Sequence, residues 1–144
     1  MTLGASRLLA FAQVNLLDAA DRPVDAYSRG MLQRLGVADA LIKDPDVLIL
    51  DEPTASIDPS GVAELLALIR RLADERGLAI LLSSHLLSQV QQLCDRVGIF
   101  SRGRLIAEGA LADLAMQAGD ASLPLDEVYR RLEADAEVAD VRHS

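Results

Sequence analysis

Two short, uninterrupted apolar runs, Val47-Leu48-Ile49-Leu50 and Leu78-Ala79-Ile80-Leu81-Leu82, are each closed by polar residues, and a helix-length amphipathic stretch lies between them. Runs this short and this apolar predict strands buried on both faces. Asp44-Pro45-Asp46 turns the chain into the first run and Asp51-Glu52-Pro53 ends it, while Ser83-Ser84-His85 ends the second. Between them Asp58 is placed to cap a helix that opens on Pro59, carries Val62, Leu65, Leu66, Ile69 and Leu72 at helical spacing, and stops at Gly77. Strand, helix and strand of these lengths form a βαβ unit, in which the strands are parallel and the crossover right-handed. Both strands then finish at one edge of the sheet, the edge where open α/β sheets bind ligands. Asp51, Glu52 and His85 all fall on it.

The rest of the 144 residues supplies further helices and a hairpin. Ser28 precedes a helical pattern with Leu32, Leu35, Ala38, Leu41 and Ile42 on one side. Residues 86–95 read as a helix with Leu87, Val90 and Leu93 inward, and 97–100 and 104–107 as a hairpin around Ser101-Arg102-Gly103. Residues 111–117 and 124–134 read as two more helices. A composition of 51% hydrophobic and 25% charged residues excludes a disordered tail and a fibre. No apolar run exceeds five residues, against the roughly 20 that a membrane-spanning helix requires, and residues 1–12 lack the pattern of a secretory signal.

A net charge of -8 argues against a sequence-independent grip on nucleic acid. Much of that charge is local: residues 105–144 hold nine acids and three arginines, so this stretch is expected to be a solvated acidic segment. The single cysteine, Cys94, excludes an internal disulfide and suits a reducing compartment. Cys94 and Met31 read as core or interface residues. Arg102-Gly103-Arg104 reads as a solvated hairpin turn in preference to a phosphate site.

A strand that ends in two adjacent carboxylates above a hydrophobic floor is one way in which nucleotide hydrolases hold magnesium and position water. The same pattern also arises where a strand simply ends in solvated acids. The neighbouring residues sharpen the reading. Asp51-Glu52-Pro53-Thr54-Ala55-Ser56-Ile57-Asp58 resembles the Walker B motif and adjoining D-loop of the ATP-binding-cassette (ABC) ATPases. Upstream, Tyr27-Ser28-Arg29-Gly30-Met31 is similar to that family's signature motif, and downstream Ser84-His85 is similar to its switch histidine. The three stand in the family's order, with Leu41-Ile42-Lys43-Asp44-Pro45 leading into the strand. The signature departs from the commonest Leu-Ser-Gly-Gly-Gln, and its Ser-Arg-Gly-Met form resembles that of bacterial exporter ATPases. In the D-loop, Ala55-Ser56-Ile57 stands where Ser-Ala-Leu is usual, leaving Asp58 as the family has it.

The resemblance implies a role for each residue. Asp51 would hold Mg2+, through water for the most part, because a small hard cation keeps much of its hydration shell. Glu52 would orient or deprotonate the water that attacks the γ-phosphate, and His85 would contact that phosphate and stabilise developing charge. Asp58 would stand at a partner interface, although it is equally a helix cap. Ser28, Arg29, Gly30 and Met31 would meet the ATP held by a second ABC ATPase subunit. A serine hydroxyl and free N–H groups at a helix start favour an anion, and Gly30 permits close backbone approach; a plain N-cap at Ser28 has the same geometry.

The fold class implied is α/β, a partial P-loop NTPase of the ABC ATPase type with a mainly parallel sheet, flanking helices, and a C-terminal hairpin plus helices. No Gly-x-x-x-x-Gly-Lys-Ser/Thr loop occurs, and the only lysine, Lys43, follows isoleucine and precedes a turn. Gln13 does not match the family's glutamine loop. The resemblance runs over about residues 8–132 and spans the C-terminal half of the family's domain, with residues 1–26 a remnant of its helical subdomain, 27–109 the ATPase half and 110–144 an acidic helical extension.

The family's strand leading into the phosphate loop would lie between residues 78–83 and 97–100, so its absence would leave unpaired strand edges and an isolated chain of marginal stability. The partners implied are a second ABC ATPase subunit, a separate transmembrane permease and a chain carrying the missing half, with no nucleic acid. The location implied is cytoplasmic, on the inner face of the membrane through the permease. The alternative is a non-catalytic interaction module or a truncated product that cannot bind ATP in its own site.

Overall fold

The computed structural model describes residues 4–142. They form two compact units, one ending at His85 and the other beginning at Leu86. The first unit opens with α1 (Ala5–Gln13), two short 3-10 turns (Leu17–Ala19 and Val24–Ala26) and α2 (Arg29–Leu41). It continues with β1 (Val47–Asp51), α3 (Pro59–Arg76) and β2 (Ala79–Ser83). The second unit holds α4 (Leu87–Leu93), the strands β3 (Arg96–Ser101) and β4 (Arg104–Ala110), α5 (Leu111–Gln117) and α6 (Leu125–Arg142).

The βαβ unit forms as its spacing requires. β1 and β2 pair in parallel, with Val47 opposite Ala79 and Asp51 opposite Ser83. Asp58 caps α3, its Oδ2 accepting from Gly61 N at 3.1 Å, with Pro59 in the first turn. Gly77 ends that helix at φ 63°, a left-handed conformation that glycine adopts without a Cβ penalty. Leu65, Leu68, Ile69 and Leu72 are buried along its inner stripe, so Leu68 joins the residues expected there.

One expectation is corrected. The apolar run in β1 is buried on one face only: Leu48 is in the core, whereas Val47 and Ile49 face solvent. In β2 the alternate residue Leu81 is likewise exposed. The reason is the extent of the sheet and its cover, since β1 and β2 form a two-stranded sheet whose core side alone is packed. β2 pairs with β1 and β3 with β4, and no pairing joins β2 to β3 among the described residues.

The inner face of α2 is also rotated from the expected one. Val37, Ala38 and Leu41 are buried, while Leu32 and Ile42 are exposed. The Arg34 side chain, 14% exposed, lies one turn before Ala38 and reaches Glu64 of α3 at 3.2 Å. The sequence reading assigned residues 1–26 to a remnant of a helical subdomain without bounding a helix there, and α1 is the helix that forms in it. That helix is fastened by cations from α3: Arg71 donates to Gln13 O at 2.5 Å and Arg76 to Gln13 Oε1 at 3.3 Å. Tyr27, buried, donates its hydroxyl to Ala19 O at 2.7 Å and ties the segment before α2 to the first 3-10 turn.

In the second unit β3 and β4 form an antiparallel hairpin turning at Arg102 (φ 51°) and Gly103 (φ 77°). Two successive left-handed residues match the twist of the strands they join. Ile99, Val90, Leu114, Ala115, Ala118, Leu125 and Val128 make the core, with Cys94 packed against it. The final helix is longer than the expected 124–134, and its acids are not merely solvated. Glu127 pairs with Arg131 at 2.7 Å, Glu133 accepts from Ser101 Oγ at 3.0 Å and Tyr129 Oη at 3.1 Å, and Glu137 pairs with Arg102. Among the described residues no helix is long and apolar enough to cross a membrane.

Candidate functional site

The parallel register decides what meets at the carboxyl edge of the sheet. Because Asp51 lies opposite Ser83, the serine hydroxyl donates to Asp51 Oδ1 at 2.5 Å. Ser83 Oγ in turn accepts from Glu52 N at 3.0 Å, and Glu52 N also lies 3.2 Å from Ser83 O. These contacts hold the backbone where the chain leaves β1. Glu52 itself has φ 44°, a left-handed conformation that disfavours a side-chain-bearing residue by about 1–2 kcal/mol. Strained residues of this kind concentrate at sites where geometry is specified by function.

The turn aims the Glu52 carboxylate at the end of the neighbouring strand. His85 Nδ1 lies 2.9 Å from Glu52 Oε2 and 3.0 Å from Oε1. The imidazole is 71% exposed and the carboxylate 36%, so both remain open to solvent and to an incoming molecule. With Nδ1 engaged, Nε2 is the ring nitrogen left to meet that molecule. Two carboxylates, a hydroxyl and an imidazole thus converge on one edge from residues 51, 52, 83 and 85. A carboxylate next to an imidazole can accept a proton from water, and the imidazole can hold charge that develops beside it.

The donors at Asp51 and Ser83 are oxygens alone, which suits a hard divalent cation such as magnesium. Among the described residues no three His, Cys, Asp or Glu side chains converge as a ligand set. A cation there would rest on one carboxylate and keep mostly water and phosphate oxygens, the usual habit of magnesium.

Ser28 and Asp58 are elsewhere, at the starts of two helices that pack together. Ser28 Oγ accepts from Met31 N at 3.2 Å as the N-cap of α2, and its hydroxyl proton remains available to donate. Gly30 is buried against the start of α3: a Cβ there would lie 3.4 Å from Ile57 Cγ2 and 3.7 Å from Gly61 Cα. Asp58 accepts from Ser60 Oγ at 2.5 Å as well as from Gly61 N, and these two bonds, the first the stronger, hold its carboxyl below the ordinary value. Arg29 opens α2, and Met31, half-buried, supplies the capping N–H.

The sequence reading had no role for Ser83 or Ile57. Ser83 had no firm signal, since the two apolar runs differ in length and the register that sets residue 83 opposite 51 is fixed only when the strands pair. Ile57 had no signal, because its partners are glycines 27 residues upstream and four downstream in the chain.

Comparison with known proteins bears on the family and the fold. The family model described as "ABC transporter" matches residues 5–55. The ABC transporter ATP-binding protein YhcH of Bacillus subtilis is 50% identical over 93 residues, covering 65% of this chain and 30% of its own length. The bacitracin transport ATP-binding protein BcrA of Bacillus licheniformis is 48% identical over 95 residues, covering 66% and 31%. An ATP-binding subunit of an ABC transporter, known from its structure, superimposes with a TM-score of 0.72 at 28% identity, over 91% of this chain and 56% of that one. The chain belongs to the ABC transporter ATP-binding proteins. CbiO1 of Clostridium perfringens, part of the ABC transporter complex cbiONQ, matches at TM-score 0.72 and 27% identity over 100% of this chain and 57% of its own. The partial ABC ATPase fold expected from the motifs is therefore the fold present. This ABC chain spans about a third of the length of the curated relatives it matches and somewhat more than half of the solved domains.

Proposed function

We propose that this chain supplies the water-activating side of the ATP-hydrolysing site in an exporter-type ABC transporter. Asp51 acts as the Walker B carboxylate that holds magnesium, Glu52 accepts the proton of the attacking water, and His85 faces the γ-phosphate. The observation that carries this reading is the 2.9 Å approach of His85 Nδ1 to Glu52, beside the Asp51–Ser83 hydrogen bond on the carboxyl edge of a parallel strand pair. ATP with magnesium supplies the electrophilic phosphoryl group when bound. The chain's own part is to hold Glu52 by its backbone N–H on Ser83, so that its carboxylate lies where water reaches it, and to place the imidazole against it.

Ser28, Arg29, Gly30 and Met31 serve as the signature segment, meeting the nucleotide of a second ABC ATPase subunit, and Asp58 as its D-loop neighbour. Support for that pairing is the contact of Gly30, Ile57 and Gly61, which sets the starts of α2 and α3 side by side. The phosphate-gripping loop is absent from the 144 residues and has to come from another segment or chain. Transport requires a permease partner, which would hold the assembly at the cytoplasmic face of a membrane. The exporter assignment rests on the Ser-Arg-Gly-Met form and on the likeness to bacitracin transport ATP-binding proteins.

The test is turnover. The purified chain alone should hydrolyse no ATP in the presence of magnesium; joined to a segment carrying the phosphate loop it should, and Glu52→Gln should abolish the rate while ATP still binds. Turnover by the chain alone, or a joined assembly whose rate is unchanged by Glu52→Gln, would overturn the reading. A second reading, a non-catalytic module that lends Ser28 and Asp58 to a complete partner, is favoured by the same α2–α3 contact. It requires that the chain alter the ATPase rate of a complete subunit and that Ser28→Ala remove the effect.

A further inference from the structure

Ser83 ends β2 with an exposed side chain that belongs to none of the recognised motifs, yet two groups of the site meet on it. Its hydroxyl donates to Asp51 Oδ1 at 2.5 Å and accepts from Glu52 N at 3.0 Å. Both directions are forced, because an ionised carboxylate only accepts and an amide N–H only donates. The result is an ordered chain, Glu52 N–H to Ser83 Oγ–H to Asp51 Oδ1, in which each bond polarises the next. An apolar residue at position 83 would break this chain at both ends and leave the backbone pairing of β1 with β2 in place.

The amide held in this way belongs to the residue whose backbone is strained. Glu52 has φ 44°, and a residue with a side chain keeps such a conformation only where its surroundings fix it. Both acceptors of its amide come from residue 83, the carbonyl oxygen at 3.2 Å and the hydroxyl at 3.0 Å, and the hydroxyl is the one that also touches Asp51. The Glu52 backbone in turn sets where its carboxylate points, with Oε2 2.9 Å from His85 Nδ1. Ser83 occupies Oδ1 of Asp51, so Oδ2 remains for a hydrated cation.

We propose that Ser83 is a positioning residue for ATP hydrolysis, its hydroxyl coupling the Asp51 carboxylate to the Glu52 backbone and so fixing the Glu52 carboxylate beside His85. It acts through Glu52 and needs no contact with the attacking water or the phosphate. The role rests on the proposed function of the site, whereas the hydrogen-bonded chain is tested without nucleotide.

The experiment follows amide hydrogen exchange by NMR in the 144-residue chain, without ATP or magnesium, for the parent, Ser83→Ala, Ser83→Thr, Asp51→Ala and the double alanine variant. Ser83→Ala should speed exchange of the Glu52 amide about five- to tenfold, the worth of one hydrogen bond, and threonine should keep the parental rate. Asp51→Ala should speed it as well, by releasing the hydroxyl, and should add nothing once residue 83 is alanine. The amides of residues 48–50 report on the strand pair and should hold their rates. An unchanged Glu52 amide in Ser83→Ala, equal acceleration at residues 48–50, a threonine variant as impaired as the alanine, or additive effects of the two alanines would overturn the proposal. In the assembly that supplies the phosphate loop, Ser83→Ala should lower kcat about tenfold at unchanged KM for ATP, and threonine should restore it. A kcat indifferent to Ser83→Ala where Glu52→Gln abolishes turnover would overturn the positioning role alone; turnover indifferent to Glu52→Gln would overturn the reading of the site with it.

Discussion

Gly61 and Gly36 both lie inside helices, and the structure assigns opposite outcomes to the same substitution at each. At Gly36 nothing lies within 4 Å of an added Cβ, so Gly36→Ala should stabilise the chain by about 1 kcal/mol, the difference in helix propensity. At Gly61 an added Cβ would stand 2.6 Å from Ile57 Cγ2 and 3.1 Å from Asp58 Oδ1. Two carbons rest at roughly 3.5–4.0 Å, so about 1 Å of overlap has to be relieved. Relief moves either the branched Ile57 side chain, wedged toward Gly30, or the cap of α3. Overpacking of this kind costs about 1–3 kcal/mol, against the same gain of about 1 kcal/mol in propensity. Gly61→Ala should therefore be neutral to destabilising by about 2 kcal/mol, and the two alanine variants should differ by about 1–3 kcal/mol. Urea unfolding followed by circular dichroism measures this as a shift in midpoint at unchanged slope. Adding Ile57→Ala to Gly61→Ala removes the clashing methyl, so the double variant should be less destabilised than the two single effects added together. Equal midpoints for Gly61→Ala and Gly36→Ala, or strict additivity in the pair, would refute the packing of the α2 and α3 starts.

Tyr27→Phe removes the donor to Ala19 O and should destabilise the first unit by about 1 kcal/mol, read as a lower urea midpoint; no change would mean the carbonyl is served otherwise. Asp58 has its carboxyl pKa lowered in the folded chain, so its contribution to stability is complete above the ordinary value of 3.8 and is lost as pH falls through the lower folded value. Asp58→Asn should accordingly flatten the acid side of a midpoint-against-pH curve below about pH 4, and an unaltered acid limb would contradict the assignment. Burial, aided by the charge of Asp95, raises the Cys94 thiol pKa, so alkylation by iodoacetamide at neutral pH should run several-fold slower than in urea; equal rates would place the thiol outside the core.

The βαβ unit was legible because its signals are local and redundant: two apolar runs, an N-cap followed by proline, and a glycine stop. The carboxyl-edge placement of Asp51, Glu52 and His85 followed from strand direction alone. The bounds of α1 were not legible because its Leu8 and Leu9 are exposed and its anchors, Arg71 and Arg76, come from a helix some 60 residues later. The inner face of α2 was misjudged in part because Arg34, which a hydrophobicity count places outside, is largely buried and contacts Glu64 of α3. The acidic C-terminal stretch looked like a solvated segment in composition, yet its glutamates meet Arg102, Ser101 and Tyr129 once the hairpin is formed.

What these 144 residues determined by themselves is the set of elements, the parallel strand pair and the chemical identity of the groups at its edge, because propensity, capping and hydrophobic period act between near neighbours. Tertiary structure alone decided that Ser83 bridges Asp51 and Glu52, that His85 leans on Glu52, and that one apolar face of the sheet is bare. Those outcomes depend on register and on what packs against what, and both are settled between residues that are distant along the chain.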